Sequence, residues 1–286
     1  MSAADPSASL VSTHWLADHL DAPDIRVVDA SWYLPAANRD PRAEYDAGHI
    51  PGAVFFDIDA ISDTESSLPH MLPQPEKFSS RMRRLGLGDG SRIIVYDGGA
   101  QTMGAARAWW MFRVFGHEDV SILDGGFRKW QDEGREVEDL PPAPRERHFT
   151  ARVNSLLVRD LDRVRSASQT GREQIVDARS APRFRGDEPE PRPGLRAGHM
   201  PGAINLPFGS LLAADGTFLP TDRLREVLAA AGIDPARPVI ATCGSGLSAC
   251  VIAFALHLTG QAKVAVYDGS WTEWGGRSDT PVVTGS

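Results

Sequence analysis

The chain has 286 residues, 42% of them hydrophobic and 24% charged, and a formal net charge of −8. That balance suits a water-soluble globular protein and argues against a bulk binder of nucleic acid or of an anionic membrane surface. No run approaches the roughly 20 apolar residues of a membrane span, and two cysteines are too few for a disulfide scaffold.

In chain order, the N-terminal MSAADPSASL has neither a basic start nor an apolar block, so it reads as a short tail rather than a signal peptide. The first half then carries the β-branched runs RVVDA, RIIVYD and VSILD, and a helical stretch, TMGAARAWWMFRVFG, closed by Gly116. After DLPPAPRERHF (139–149), rich in Pro and charge, the pattern returns as QIVDA, PVIAT and VAVYD. A second helical stretch, LSACVIAFALHLTG, is closed by Gly260. Short apolar strands alternating with helices predict an α/β fold: two tandem domains, each a mainly parallel sheet flanked by helices. In such sheets chemistry gathers at the carboxyl ends of strands.

The two halves are copies. His49 in EYDAGHIPGAVFF and His199 in GLRAGHMPGAINLPF lie 150 residues apart. Asp29 and Asp177 are separated by 148, Asp97 and Cys243 by 146, and Trp130 and Trp274 by 144. Four landmarks in the same order with a drifting offset indicate a duplicated domain. The predicted boundaries are a first domain at 1–138, a linker at 139–155 and a second domain at 156–286. Features shared by the halves belong to the fold, and features of one half are candidates for function. By that rule His49 and His199 are turn residues bonded locally, and Trp130 and Trp274 are structural. Trp109 and Trp110 read as helix core.

Cys243 is different, because the first half has Asp97 in its place. Gly244 and Gly246 let backbone N–H groups converge into an anion nest, and the following helix adds its positive end. Both favour a negatively charged, nucleophilic sulfur. The alternative is a small buried hydrophobe, which is how Cys250 reads. Zinc sites need four clustered ligands, commonly with close Cys or His spacing, and nothing here has it, so no metal is expected. A cysteine phosphatase needs an arginine six residues after the cysteine to hold a phosphate dianion, and that position is Ala249.

Two GHxPGA domains with a lone loop cysteine in the second resemble the rhodanese superfamily of sulfurtransferases over nearly the whole chain. In that family the thiosulfate branch typically puts basic side chains after the cysteine. The mercaptopyruvate branch typically has Cys-Gly-Ser-Gly-Val-Thr-Ala. The stretch Cys243-Gly244-Ser245-Gly246-Leu247-Ser248-Ala249 resembles the second, with conservative departures at Leu247 and Ser248. The resemblance implies sulfur transfer from 3-mercaptopyruvate, through a Cys243 persulfide, to a thiol such as reduced thioredoxin or to cyanide. Gly244, Gly246, Leu247 and Ser248 would form the cradle.

In the same way DARSAPRFRGDEPEPRPGL resembles the substrate segment whose two arginines hold the carboxylate and keto group, here Arg183 and Arg192. The forked guanidinium suits an α-keto acid. Read without the resemblance, both arginines would pair with Asp187, Glu188 or Glu190 in an exposed loop. Arg42 precedes His49 by the same seven residues that separate Arg192 from His199, which weakens the asymmetry of Arg192. FFDIDAISDTESSLPHMLP resembles the stretch that sends an Asp and a His to the active-site serine, implying a relay of Asp59, His70 and Ser245. The chemistry needs no metal or organic cofactor, and a cytoplasmic protein without nucleic-acid or membrane partners is expected. Thiosulfate sulfur transfer, or a non-catalytic rhodanese-like binding or redox-sensing module, are the competing readings.

Overall fold

The computed structural model describes residues 9–99 and 101–285, so most of the expected N-terminal tail, residues 1–8, lies outside the described residues. Ten strands form two five-stranded sheets. The first contains β1 (Leu10–Val11), β2 (Ile25–Asp29), β3 (Val54–Phe55), β4 (Arg92–Tyr96) and β5 (Val120–Leu123), in the order β1-β5-β4-β2-β3. The second contains β6 (Val158–Arg159), β7 (Gln174–Asp177), β8 (Ala203–Asn205), β9 (Val239–Thr242) and β10 (Val264–Tyr267), in the order β6-β10-β9-β7-β8. Every neighbouring pair is parallel. The two orders are the same, as a duplicated domain requires.

The central strands are buried along almost their whole length because a parallel sheet is covered on both faces. Ile93 to Tyr96 of β4 and Val239 to Thr242 of β9 are all buried. The helices Met103–Val114 and Ser248–Leu258 pack there and are apolar around most of their circumference, which marks interior helices. Trp109 and Trp110 are core residues, as expected. Gly116 and Gly260 follow these helices at φ 85° and 87°, a conformation glycine takes readily.

The shared histidines serve the fold. His49 is fully buried, its Nδ1 lies 2.8 Å from the Tyr45 carbonyl, and its ring stacks on Tyr45. His199 does the same with Phe184, at 2.8 Å to the carbonyl and 3.7 Å between rings. A carbonyl only accepts, so Nδ1 carries the proton in both.

The chain divides into two compact units. Unit 1 takes residues up to Asp63, Pro73–Asn154 and Leu212–Phe218; unit 2 takes Thr64–Leu72, Ser155–Leu211 and the chain from Leu219 onward. Each half therefore lends a short arm to the other unit's fold. Within unit 2 the Leu72 N–H donates to Asp268 Oδ2 at 2.7 Å, and within unit 1 the Phe218 N–H donates to Asp124 Oδ1 at 2.9 Å. Asp268 and Asp124 directly follow β10 and β5, so the exchange is duplicated too. Burial pushes the Asp124 carboxyl up to about 6. Among the described residues no helix is long and apolar enough to cross a membrane.

Candidate active site

Cys243 is the first residue past β9, at the carboxyl end of a central strand, and only 2% of it is exposed. The loop turns back at Gly246, whose φ of 84° is left-handed, and the Gly246 N–H donates to the Cys243 sulfur at 3.1 Å. The helix Ser248–Leu258 starts directly after Leu247. The sulfur thus has one amide donor and lies before a helix N-terminus, both of which stabilise negative charge on it. Cys250 lies within the helix, buried, its thiol donating to the Gly246 carbonyl at 3.1 Å.

The first half tests what this loop can hold. Asp97 stands after β4 as Cys243 stands after β9. Its carboxylate accepts N–H bonds from Gly99 at 3.1 Å, Gly104 at 3.0 Å and Ala105 at 3.3 Å. A carboxyl side chain therefore fills the nest formed by the loop and the first helical turn. Burial nevertheless pushes the Asp97 carboxyl up to about 7, against those three donors.

The loop of unit 2 is clamped from the segment after β10. The Trp271 N–H donates to the Cys243 carbonyl at 2.9 Å, and Thr272 donates to the Gly244 carbonyl through its N–H at 2.9 Å and its hydroxyl at 2.6 Å. Ser270 Oγ accepts the Cys243 N–H at 3.3 Å. Ser270 does so from a φ of 48°, where the first half has Gly126 at 60°. A serine held in a glycine conformation costs about 1–2 kcal/mol, and its hydroxyl is the feature retained there. Comparison of DGGF with DGSW was the signal that could have found it.

Arg183 lies beside the loop: a Cβ placed on Gly244 would sit 3.3 Å from its Nη2. Glu190 holds it through Nε at 3.3 Å and Nη2 at 2.5 Å. This is one of the pairings that the arginines would make without a substrate, but the Glu190 side chain is buried rather than exposed. Glu190 is itself held by Arg179 Nη1 at 2.8 Å. Arg179 also donates to Asp177 through Nε and Nη2, to the Gly198 carbonyl at 2.9 Å, and lies 4.2 Å over Trp271. Burial works to lower the Arg179 pKa, but Asp177 and Glu190 outweigh it and hold it raised. Arg179 and Glu190, which set the position of Arg183, were not singled out from sequence. Arg192 is half-buried and has no ion-pair partner among the described residues.

His70 belongs to the arm that completes unit 2. It is buried, takes a left-handed φ of 61°, and its Nδ1 lies 3.3 Å from the Ser245 backbone carbonyl. The arm therefore brings His70 to the cysteine loop, through the main chain of Ser245. Ser245 is also buried. Asp59 belongs to unit 1, where it is exposed and accepts from the Trp32 indole at 3.3 Å. Among the described residues no cluster of three or more His, Cys, Asp or Glu could hold a metal ion.

The rhodanese-like domain family matches residues 12–133 and 160–277, both halves of the chain. The chain belongs to the rhodanese family. Its rhodanese domains are similar along their length to the 3-mercaptopyruvate sulfurtransferase of Escherichia coli K12, 45% identical over 273 residues, covering 95% of this chain and 96% of that one. They are also similar to the thiosulfate sulfurtransferase of Rattus norvegicus, 43% identical over 272 residues, covering 93% and 91%. The crystal structure of SseA from Escherichia coli superposes with a TM-score of 0.85 at 43% identity, covering 92% of this chain and 98% of that one. Rhodanese relatives named for either donor are thus nearly equally similar, and overall identity does not separate them.

Proposed function

We propose that this rhodanese is a sulfurtransferase that moves sulfur from 3-mercaptopyruvate, through a persulfide on Cys243, to a thiol acceptor. The observation that carries this reading is the placement of the Arg183 guanidinium against Gly244 of the cysteine loop. A mercaptopyruvate donor needs a nucleophilic sulfur and a carboxylate-binding cation within one small molecule's length. Positions 244–249 carry no basic side chain, as a loop built for the thiosulfate dianion would. Arg183 and Arg192 orient the carboxylate and keto group. The Cys243 thiolate attacks the substrate sulfur, the substrate C–S bond breaks, and its electron pair leaves on pyruvate enolate. The enolate takes a proton to give pyruvate, and the new persulfide loses its own. The loop N–H groups, including that of Gly246, stabilise the anionic persulfide. His70, held beside the cysteine loop at the Ser245 carbonyl, moves these protons. A thiolate acceptor such as reduced thioredoxin then attacks the outer sulfur and regenerates Cys243. We place this in the cytoplasm, where two free thiols such as Cys243 and Cys250 are the default.

The experiment is a donor comparison coupled to mass spectrometry. Mercaptopyruvate should give the higher kcat/KM and add one sulfur atom to Cys243, and Cys243→Ser should abolish both. A preference for thiosulfate moves the protein to the other branch. No added sulfur leaves a non-catalytic module. His70→Ala with unchanged turnover and pH profile removes His70 from the proton path.

A further inference from the structure

The two halves share one fold, and one of the buried positions at which they differ changes the space beside the sheet. Two residues after Asp177 stands Arg179; two after Asp29 stands Ser31. Their backbones are alike: the Arg179 N–H donates to Asp177 Oδ1 at 3.0 Å and the Ser31 N–H to Asp29 Oδ1 at 2.8 Å. Only the side chain differs. In unit 2 the Arg179 guanidinium fills the space between Asp177, Glu190, the Gly198 carbonyl and the face of Trp271. In unit 1 the corresponding space is a cavity of about 330 Å³, lined among others by Asp29, Ser31, Glu44, Gly48 and Phe127.

Each of these walls has its counterpart. Asp29 stands for Asp177, Gly48 for Gly198 and Phe127 for Trp271 along the repeat. The Phe127 N–H donates to the Asp97 carbonyl as that of Trp271 does to Cys243. Glu44 stands for Glu190 by its contacts. The Tyr33 hydroxyl, beside Gly98, donates to Glu44 at 2.7 Å, as Arg183 beside Gly244 donates to Glu190.

The charges do not match. In unit 2 Arg179 and Arg183 balance Asp177 and Glu190. In unit 1 Arg39 pairs with Glu44, while Asp29 has hydrogen bonds from Ser31 and Tyr96 and the nearby His49 ring but no guanidinium. Arg39 bonds Glu44 at 2.7 and 2.6 Å and lies 3.8 Å over the Tyr33 ring, so it supplies the charge of Arg183 rather than that of Arg179. Burial holds the Asp29 carboxyl above the usual carboxylate range, as for an acid that lacks a full countercharge. The missing element is one planar cation.

We propose that this cavity of the first rhodanese domain binds a small guanidinium-bearing molecule, seated where the second domain places its own Arg179. A guanidinium matches a carboxylate through two parallel N–H bonds and an aromatic face through its charge. The volume lies at the small end of ligand pockets, which run from roughly 300 Å³ upward. Exposed Arg39, Gln131 and Val137 at the lining leave the cavity open to solvent.

The test is calorimetric titration of the whole chain with methylguanidinium, agmatine and the tripeptide Gly-Arg-Gly, with sodium chloride and urea as controls. Methylguanidinium and agmatine should bind saturably at one site at millimolar concentration or below, and neither control should. Ser31→Arg, which supplies the domain with its own guanidinium, should abolish that binding and raise Tm. Glu44→Gln should weaken it roughly 10-fold or more and serves if Ser31→Arg does not fold. Absence of saturable binding, or binding undiminished in both variants, would overturn the proposal. Tighter binding of the peptide than of agmatine would overturn the small-molecule assignment in favour of an arginine on another protein. Ser31 and Glu44 lie in the domain without the cysteine, so the outcome is independent of sulfur transfer.

Discussion

Arg179→Leu leaves two buried carboxylates, Asp177 and Glu190, without their shared cation. Arg179 is 2% exposed, and the side chains of both acids are 1% exposed. The substitution removes the Nε and Nη2 bonds to Asp177, the Nη1 bond to Glu190, the bond to the Gly198 carbonyl and the cation–π contact with Trp271. Charged hydrogen bonds are worth about 1.5–3 kcal/mol each, but these share one group and do not add. The governing quantity is the penalty for breaking a buried ion pair, about 3–5 kcal/mol. That is a large part of the roughly 5–15 kcal/mol that holds a domain folded. For a domain of this size it lowers Tm by about 10–20 °C. At low pH a stranded carboxylate can take up a proton, so the loss should be smaller at pH 5 than at pH 8. Urea unfolding at both pH values reads this out. Arg183 should also lose its alignment, because Glu190 is its anchor, and kcat/KM for mercaptopyruvate should fall even where the variant is folded. A loss under about 1 kcal/mol, or a larger loss at the lower pH, would refute the reasoning.

Three further outcomes are expected. Gly104→Ala should destabilise by about 2 kcal/mol in thermal unfolding, because the new Cβ would lie 1.9 Å from the Ala30 carbonyl oxygen and must push it away; the helix-propensity gain of about 1 kcal/mol is smaller than the clash. Asp97 has a folded pKa raised to about 7, so the unfolded chain binds fewer protons between about pH 4 and 7. Its contribution to stability is thus greatest at the acid end and declines by roughly 4 kcal/mol as pH rises through that window. The stability difference between wild type and Asp97→Asn should shift by that amount across the window, and a flat difference would contradict the assignment. Arg183→Lys keeps the charge but loses the forked bond to Glu190, so kcat/KM for mercaptopyruvate should drop about 10–100-fold, mostly through KM.

Much of the fold was legible because it is carried by local patterns. The runs around Val27, Ile94, Ile122, Ile175, Ile240 and Ala265 all became strands, and both glycine-closed helices formed within a few residues of their expected ends. The strands that escaped notice, β1, β3, β6 and β8, are two or three residues long, too short for a period to show. They form because an outer row of an existing sheet offers unpaired backbone groups, which is a tertiary cause.

The site divides in the same way. Cys243 and its glycines stood out because the first half has Asp97, and the placement of the cysteine at the end of β9 follows from the strand pattern alone. Ser270 and Arg179 were equally asymmetric against Gly126 and Ser31, and comparing every repeat position rather than the landmarks would have reached them. Glu190 was legible only as one of several acids in a charged stretch; burial beneath two arginines selected it. The arm Thr64–Leu72 was legible only through the family resemblance, which sends His70 to Ser245; its own pattern does not say that it completes the fold of the other half.

By itself, then, the sequence determined the duplicated α/β architecture, the strand-end cysteine and the family, because periodicity, turn chemistry and repetition are properties of neighbouring residues. Only the tertiary structure decided which charges are buried together, which arm completes which unit, and where Ser31 leaves the cavity that Arg179 fills in the other half. Those depend on desolvation and on contacts between residues far apart in the chain, and no local pattern encodes them.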